Sequence, residues 1–269
     1  MPNPSSASDS SSVNRGQVAD DLYLKRGADD ASHRCDVNTK LGAKDLVYVL
    51  LEKLDLKPGD VILDVGCGTG QHLVKFAEVV GPTGHAYGVD FNPDAVAKAK
   101  ALGLDVEVAS AEKLPQATNS VDALTCNYAI YYVENLQAAL DEFGRVCKEG
   151  ARLVITGPSK DTNQELYEFH KKATGAEPSD ADKMALGYVQ GPVAAGLAKA
   201  GFGRTAIEEF TNPIEFPDAD SFLDYWVATS LFARTGHATR QMGAEILAGK
   251  DPPFLITKRT TVLSAVKAR

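Results

Sequence analysis

Residues 61–70 read Val-Ile-Leu-Asp-Val-Gly-Cys-Gly-Thr-Gly. A short, mostly apolar run breaks into glycine at alternate positions, Gly66, Gly68 and Gly70. Such a run suits a strand buried on both faces, as in a parallel sheet covered by helices. Alternate glycines let the backbone bend sharply and place no side chain between it and a ligand. Beyond Gly70, the segment Ala86-Tyr87-Gly88-Val89-Asp90 ends in a carboxylate at the tip of a second strand. A carboxylate there suits the two hydroxyls of a ribose. Together these features describe a nucleoside pocket at the carboxyl edge of a parallel sheet.

The spacing separates this pocket from a dinucleotide site. Dinucleotide folds use Gly-x-Gly-x-x-Gly, with the third glycine letting the helix pack close to a pyrophosphate. Here the spacing is Gly-x-Gly-x-Gly, and Gln71 stands where that third glycine belongs. Asp64 precedes the bend, where an anionic pyrophosphate gains nothing from it. A cationic amino-acid tail gains a charge-assisted hydrogen bond. The pocket therefore prefers a positively charged nucleoside, which points to S-adenosylmethionine.

With these residues the chain resembles the class I S-adenosylmethionine-dependent methyltransferases, in particular the small-molecule and ubiquinone/menaquinone-type enzymes. The resemblance continues through Ala109-Ser110-Ala111-Glu112-Lys113-Leu114-Pro115, through Asn119 to Cys126, and through Phe143 to Gly150. It covers residues 45–160 well and the rest in outline. It implies a Rossmann-like α/β fold: a seven-stranded, mostly parallel sheet with helices on both faces, the last strand antiparallel beside the sixth, plus helical lid additions. Its implied cofactor residues are Asp64, Gly66, Cys67, Gly68, Gly70, Asp90, Phe91, Ser110, Ala111 and Asn127. Asp64 is expected to orient the bend and receive the cofactor's ammonium. Asp90 is expected to accept from the ribose, Phe91 to cover the adenine, and Ser110 and Ala111 to pass its edge. Glu112 is an alternative to Ser110 there, or a solvated charge.

The acceptor is expected just after the fourth strand, at Asn127-Tyr128-Ala129-Ile130-Tyr131-Tyr132. Asn127, Tyr131 and Tyr132 are the candidate catalytic residues. Tyrosine rings can steady a sulfonium, and an asparagine can hold a carbonyl or amine. The plain alternative is that both tyrosines pack the next helix. Tyr23, His33 and Arg34 are candidates on an N-terminal lid, and His170 and Tyr188 are lid or catalytic residues. Phe222, Tyr225, Trp226 and Phe232 read more as core than as a substrate cage.

The net charge of -8 and the lack of a Lys/Arg cluster argue against a nucleic-acid substrate. No stretch approaches the roughly 20 apolar residues of a membrane span. The Ser-rich residues 1–14 lack the basic and apolar regions of a secretory signal and read as a disordered leader. The 4 cysteines and 5 histidines form no metal-ligand spacing, so no metal site is expected and the thiols read as reduced, in a cytoplasmic protein.

Residues 15–269 are expected to form a single domain with an N-terminal lid over 15–45. Helices are expected over 44–54, 70–80, from 92 onward and over 134–147. Strands are expected at 61–65, 85–89, 106–109, 121–126 and 152–156. A helical insertion over 159–188 follows, then a helix over 192–200, a sixth strand over 205–210, an amphipathic helix over 217–233 and a last strand over 254–266. The functional expectation is a transferase that methylates a small molecule by in-line displacement at the sulfonium methyl. The alternatives are attack on the cofactor's aminocarboxypropyl chain, including ring closure with release of methylthioadenosine, and a non-catalytic cofactor-binding partner. The sequence leaves the acceptor and the oligomeric state open.

Overall fold

The computed structural model describes residues 25–269. The expected leader at 1–14, and Tyr23, lie outside the described residues. Helix α1 (Lys25–Leu41) leads into α2 (Leu46–Leu54). Then β1 (Val61–Val65), α3 (Gln71–Val80), β2 (His85–Asp90), α4 (Pro93–Ala101), β3 (Asp105–Val108) and β4 (Val121–Asn127) follow. A 3-10 turn (Ile130–Tyr132) precedes α5 (Leu136–Val146), β5 (Cys147–Pro158), α6 (Gln164–Thr174) and α7 (Asp180–Lys183). After two short helical turns come β6 (Phe202–Phe216), α8 (Ala219–Val227), α9 (Ser230–Arg234), α10 (Arg240–Leu247) and β7 (Phe254–Lys267).

The seven strands form one sheet in the order β3-β2-β1-β4-β5-β7-β6. The first five run parallel, and β7 lies antiparallel to both β5 and β6. Successive strand residues point to opposite faces, and the core divides accordingly. Leu63, Leu124, Leu153 and Ile155 pack with Leu140 and Phe143 of α5. Ile62, Ala123 and Val154 pack on the other face with Leu50 and Leu54 of α2 and Leu73 and Phe76 of α3. A sheet covered on both faces explains why β1 reads as a nearly unbroken apolar run.

Local caps set the helix starts. Asn92 accepts from the N–H groups of Asp94 and Ala95 at 2.9 and 3.4 Å, with Pro93 in the first turn. Pro lacks the donor that the first turn leaves unpaired, so it fits there. Asp45 caps α2 by accepting from Val47 N–H at 3.0 Å.

The C-terminal third departs from the expected rhythm. The helix expected over 192–200 is a π-helical turn (Val189–Val193) running into one α turn (Ala194–Gly196), with Pro192 inside it. Proline removes an amide donor and crowds the preceding turn, so no regular helix forms. The helix expected over 217–233 is broken between α8 and α9, where Thr229 caps the new start by accepting from Phe232 N–H at 3.2 Å. Strand β6 starts earlier and ends later than expected. The far ends of β6 and β7 carry a third cluster, in which Ile214, Phe216 and Ile256 pack with Phe169, Phe222, Tyr225 and Trp226. The aromatic residues of 217–233 are thus core, as their spacing suggests. His170 belongs with them. Its Nδ1 accepts from Trp226 Nε1 at 3.0 Å, and Nε2 meets Thr235 Oγ1 at 3.0 Å. Among the described residues no helix is long and apolar enough to cross a membrane.

Candidate functional site

The sheet order turns back on itself at the neighbours β1 and β4, and ligands of open α/β sheets settle in the crevice outside the strand ends at such a point. A cavity of about 530 Å³ opens there. Its walls come from the bend after β1, the tips of β2 and β4, the loop at 109–112, helix α1, and the adjoining ends of β6 and β7.

The bend is built as the alternating glycines require. Gly66 has φ of 75° and Gly68 of 55°, a left-handed region that other residues rarely enter. A Cβ on Gly66 would fall on the Ala129 methyl, so the bend and the loop after β4 touch backbone to side chain. Asp90 fixes the bend from the next strand. Its Oδ2 accepts from Gly68 N–H at 2.8 Å and its Oδ1 from Asn92 N–H at 2.9 Å. Asp90 thus holds the bend while lining the cavity.

Among the residues singled out from the sequence, Gly66, Cys67, Gly68, Asp90, Phe91, Ser110, Ala111, Asn127, Tyr131 and Tyr132 all line this cavity. Gly70 does not. It sits at the start of α3 with φ of 86°, and a Cβ there would strike Leu104, so its lack of a side chain serves helix packing. Asp64 also stands behind the wall rather than on it. It is 1% exposed, and its Oδ1 has no hydrogen-bond partner. Burial, reinforced by the charge of Asp90, pushes its carboxyl up to about 7, while a hydrogen bond from Asn127 opposes the rise.

That shift has a measurable consequence. The unfolded chain gives up this proton near the ordinary value of 3.8, and the folded chain keeps it until about 7. A raised carboxyl means that stability falls as pH rises through this window. The ligand-free protein is expected to lose on the order of 3 kcal/mol from this group between pH 4 and 7. Urea melts at the two ends of the window check it: Asp64→Asn flattens the loss, and an unaltered pH slope in the variant contradicts the assignment.

Asn127 is embedded in polar contacts of its own. Its Nδ2 donates to Thr125 Oγ1 at 2.9 Å, and its Oδ1 accepts from Thr156 Oγ1 at 3.0 Å. These contacts orient the amide toward Asp64 as much as toward the cavity. Tyr131 belongs to the core cluster on the α5 face as well as to the cavity wall, and its ring centroid lies 4.7 Å from that of Tyr132. Burial raises both phenols above their ordinary range, with the neighbouring Tyr132 adding to the effect on Tyr131. Ser110 Oγ accepts from Glu112 N–H at 3.1 Å. Glu112 Oε1 accepts from the N–H groups of Glu134 and Asn135 at 2.7 and 3.1 Å. Glu112 therefore anchors the approach to α5 from the cavity's rim.

Helix α1 closes the opposite side. Ser32, Arg34, Cys35 and Asn38 line the cavity, whereas His33 is exposed and faces away. The helix is docked at both flanks. Gln71 Nε2 donates to Asp36 Oδ1 at 2.6 Å, Tyr225 Oη donates to Asn38 Oδ1 at 3.3 Å, and Arg34 Nη1 donates to the Ala228 carbonyl. Tyr188 is buried in the core rather than in the cavity.

Sequence reading missed Lys258, His72, Phe210 and Thr260, all on the cavity wall. They arrive from β7, α3 and β6, and no local pattern marks them. Lys258 Nζ lies 4.6 Å from the centroid of the Tyr128 ring, whose hydroxyl meets Thr260 Oγ1 at 2.6 Å. Burial lowers Lys258 to about 8 and His72 to about 4. Among the described residues no cluster of His, Cys, Asp and Glu could hold a metal ion.

Residues 56–192 match the family described as "Methyltransferase domain". The chain is 30% identical over 132 residues to a demethylmenaquinone methyltransferase of Oceanobacillus iheyensis, covering 45% of this chain and 56% of that protein. It is 27% identical over 181 residues to a 2-phytyl-1,4-naphtoquinone methyltransferase of Trichormus variabilis, covering 62% and 79%. The chain spans about half the length of several curated relatives that it matches. In fold it is similar to phosphoethanolamine N-methyltransferase 2 of Haemonchus contortus, in a complex with phosphomonomethylethanolamine and S-adenosylhomocysteine. That likeness has a TM-score of 0.59 at 14% identity, and covers 96% of this chain and 61% of that one.

Proposed function

We propose, from the premise that this chain belongs to the S-adenosylmethionine-dependent methyltransferase family, that it methylates a small-molecule acceptor. The observation that carries the reading is one continuous cavity with the glycine bend and Asp90 at one side and Tyr128, Tyr131 and Tyr132 at the other. When bound, the cofactor supplies a methyl group on a sulfonium, whose carbon–sulfur electron pair returns to sulfur as the acceptor bonds the methyl.

The residues present fit that group. The side-chain-free Gly66 admits a slim methionine tail beside the backbone. The ionised form of Asp64, disfavoured by burial, becomes favourable when a cation settles beyond the bend. Asp90 would accept from the ribose, Phe91 would flank the adenine, and Ser110 and Ala111 would border its edge. Cys67 and Gly68 frame the tail. Asn127 keeps Asp64 oriented, and Tyr131 and Tyr132 line the path of the methyl. Helix α1 excludes water over the whole. Orientation and desolvation of this kind lower barriers by up to about 7–11 kcal/mol, so no strong base is required of the site.

The net charge of -8 supports a small molecule over a nucleic acid. Relatives that by name act on demethylmenaquinone and a phytylated naphthoquinone support a ring-shaped acceptor.

Incubation with S-adenosylmethionine and a panel of ring acceptors tests the reading. S-adenosylhomocysteine is expected only when an acceptor is present. Methylthioadenosine released without any acceptor would replace methylation by attack on the aminocarboxypropyl chain.

A further inference from the structure

The ammonium of Lys258 lacks an anion. It projects into the cavity from β7, and among the described residues it has no carboxylate partner and no side-chain hydrogen bond; its one specific contact is the Tyr128 ring at 4.6 Å. The groups that act on it are the Cys35 thiol and, with the same sign as its own, the Arg34 guanidinium. The carboxylates nearby are committed elsewhere. Asp45 accepts from Val47 N–H at 3.0 Å, and Asp36 accepts from Gln71 at 2.6 Å. A charge withdrawn from water without a partner is costly, so buried charges are ordinarily paired. Lys258 is half-buried on the cavity wall, so an anion entering the cavity would supply the partner it lacks.

The position fits an acceptor rather than the cofactor. Asp90 marks the ribose side at β2, and Lys258 stands beyond the end of β5 on β7. Four strand spacings separate β2 from β7, about 20 Å at roughly 4.8 Å each. A smaller cavity of about 180 Å³ opens on the far side of the tyrosines and shares Arg34, Tyr128, Tyr131, Tyr132 and Lys258 with the first. Three rings and two cations thus stand between the two cavities, within reach of a ligand seated there.

We propose that the acceptor is a planar aromatic molecule carrying an anionic oxygen, seated among Tyr128, Tyr131 and Tyr132 with its charge on Lys258 and Arg34. This rests on the methyltransferase reading above and names its substrate class. An acceptor that enters ionised has no proton to lose at that oxygen, so methylation there needs no general base. Its charge also balances the positive sulfonium expected beside it.

Calorimetry on the full chain saturated with S-adenosylhomocysteine tests this with a matched pair, 2-naphthoate and neutral 2-naphthamide. Wild type is expected to bind the carboxylate about 10-fold to 100-fold more tightly than the amide, the value of a charge-assisted bond. Lys258→Met erases that preference, Lys258→Arg keeps most of it, and both variants retain S-adenosylhomocysteine affinity, which certifies their fold. Equal affinity of wild type for the two probes, no binding of either, or a preference that survives Lys258→Met overturns the proposal. The wild-type comparison stands even if a variant fails to fold. Absence of heat with S-adenosylhomocysteine alone overturns the cofactor reading beneath it, and the proposal with it.

Discussion

Asp90→Ala is expected to weaken binding of S-adenosylmethionine and S-adenosylhomocysteine by at least about 100-fold. Two losses combine. The carboxylate that faces the cavity at the tip of β2 disappears, and with it the acceptor proposed for the two ribose hydroxyls. The same residue accepts from Gly68 and Asn92 at 2.8 and 2.9 Å. Without it the left-handed bend loses its tie to the neighbouring strand and α4 loses a fixed start. Each charge-assisted hydrogen bond contributes about 1.5–3 kcal/mol, so even partial loss of both roles exceeds two decades in affinity. Calorimetric titration with S-adenosylhomocysteine measures it. Undiminished affinity in the variant would show that the β2 carboxylate is not a ligand, and the assignment of the whole cofactor end would fail.

Trp226→Ala is expected to produce the largest loss of stability among single truncations outside the site. Trp226 is 0% exposed, and its ring meets Phe169 at 5.0 Å and Phe232 at 4.8 Å, both edge to face. Truncation opens a large void and leaves His170 Nδ1 without its donor at 3.0 Å. Burial already lowers the His170 pKa, so the ring does not readily protonate to compensate. Truncating a buried Trp costs about 3–5 kcal/mol. For a chain of this size that lowers the melting temperature by on the order of 10 °C. A thermal melt by circular dichroism reads it, and a shift of only a degree or two would mean that the third cluster is loosely packed.

The glycine bend and its tie to Asp90 are legible in the sequence because their signals are local. A strand covered on both faces must be apolar throughout, a bend against Ala129 must use glycine, and the carboxylate that ties the bend must stand at the next strand tip. Asn92 and Pro93 announced α4 by the same short-range logic. Gly70 lies off the cavity wall, and a glycine needed for packing against Leu104 looks identical, in sequence, to one needed for a ligand. Asp64 stands behind the wall, where burial disfavours the charge expected of it. The acceptor end was hidden for a different reason. Phe210 and Lys258 come from β6 and β7, far along the chain from the lid residue Arg34 that they join, and each reads by itself as an ordinary strand residue. The break between α8 and α9 was equally unreadable, because Arg34 of a distant helix takes the Ala228 carbonyl that a longer helix would have used.

The antiparallel strand β7 sets the order in which the cavity is completed. It inserts between β5 and β6, so that Arg152 must find Val266 across the intervening chain. Pairings so remote close slowly, because the entropy of gathering a long loop is spent before any contact rewards it. The glycine bend and its carboxylate need only the first half of the sheet. The bend and its Asp90 tie can therefore form before β7 delivers Lys258 to the cavity wall.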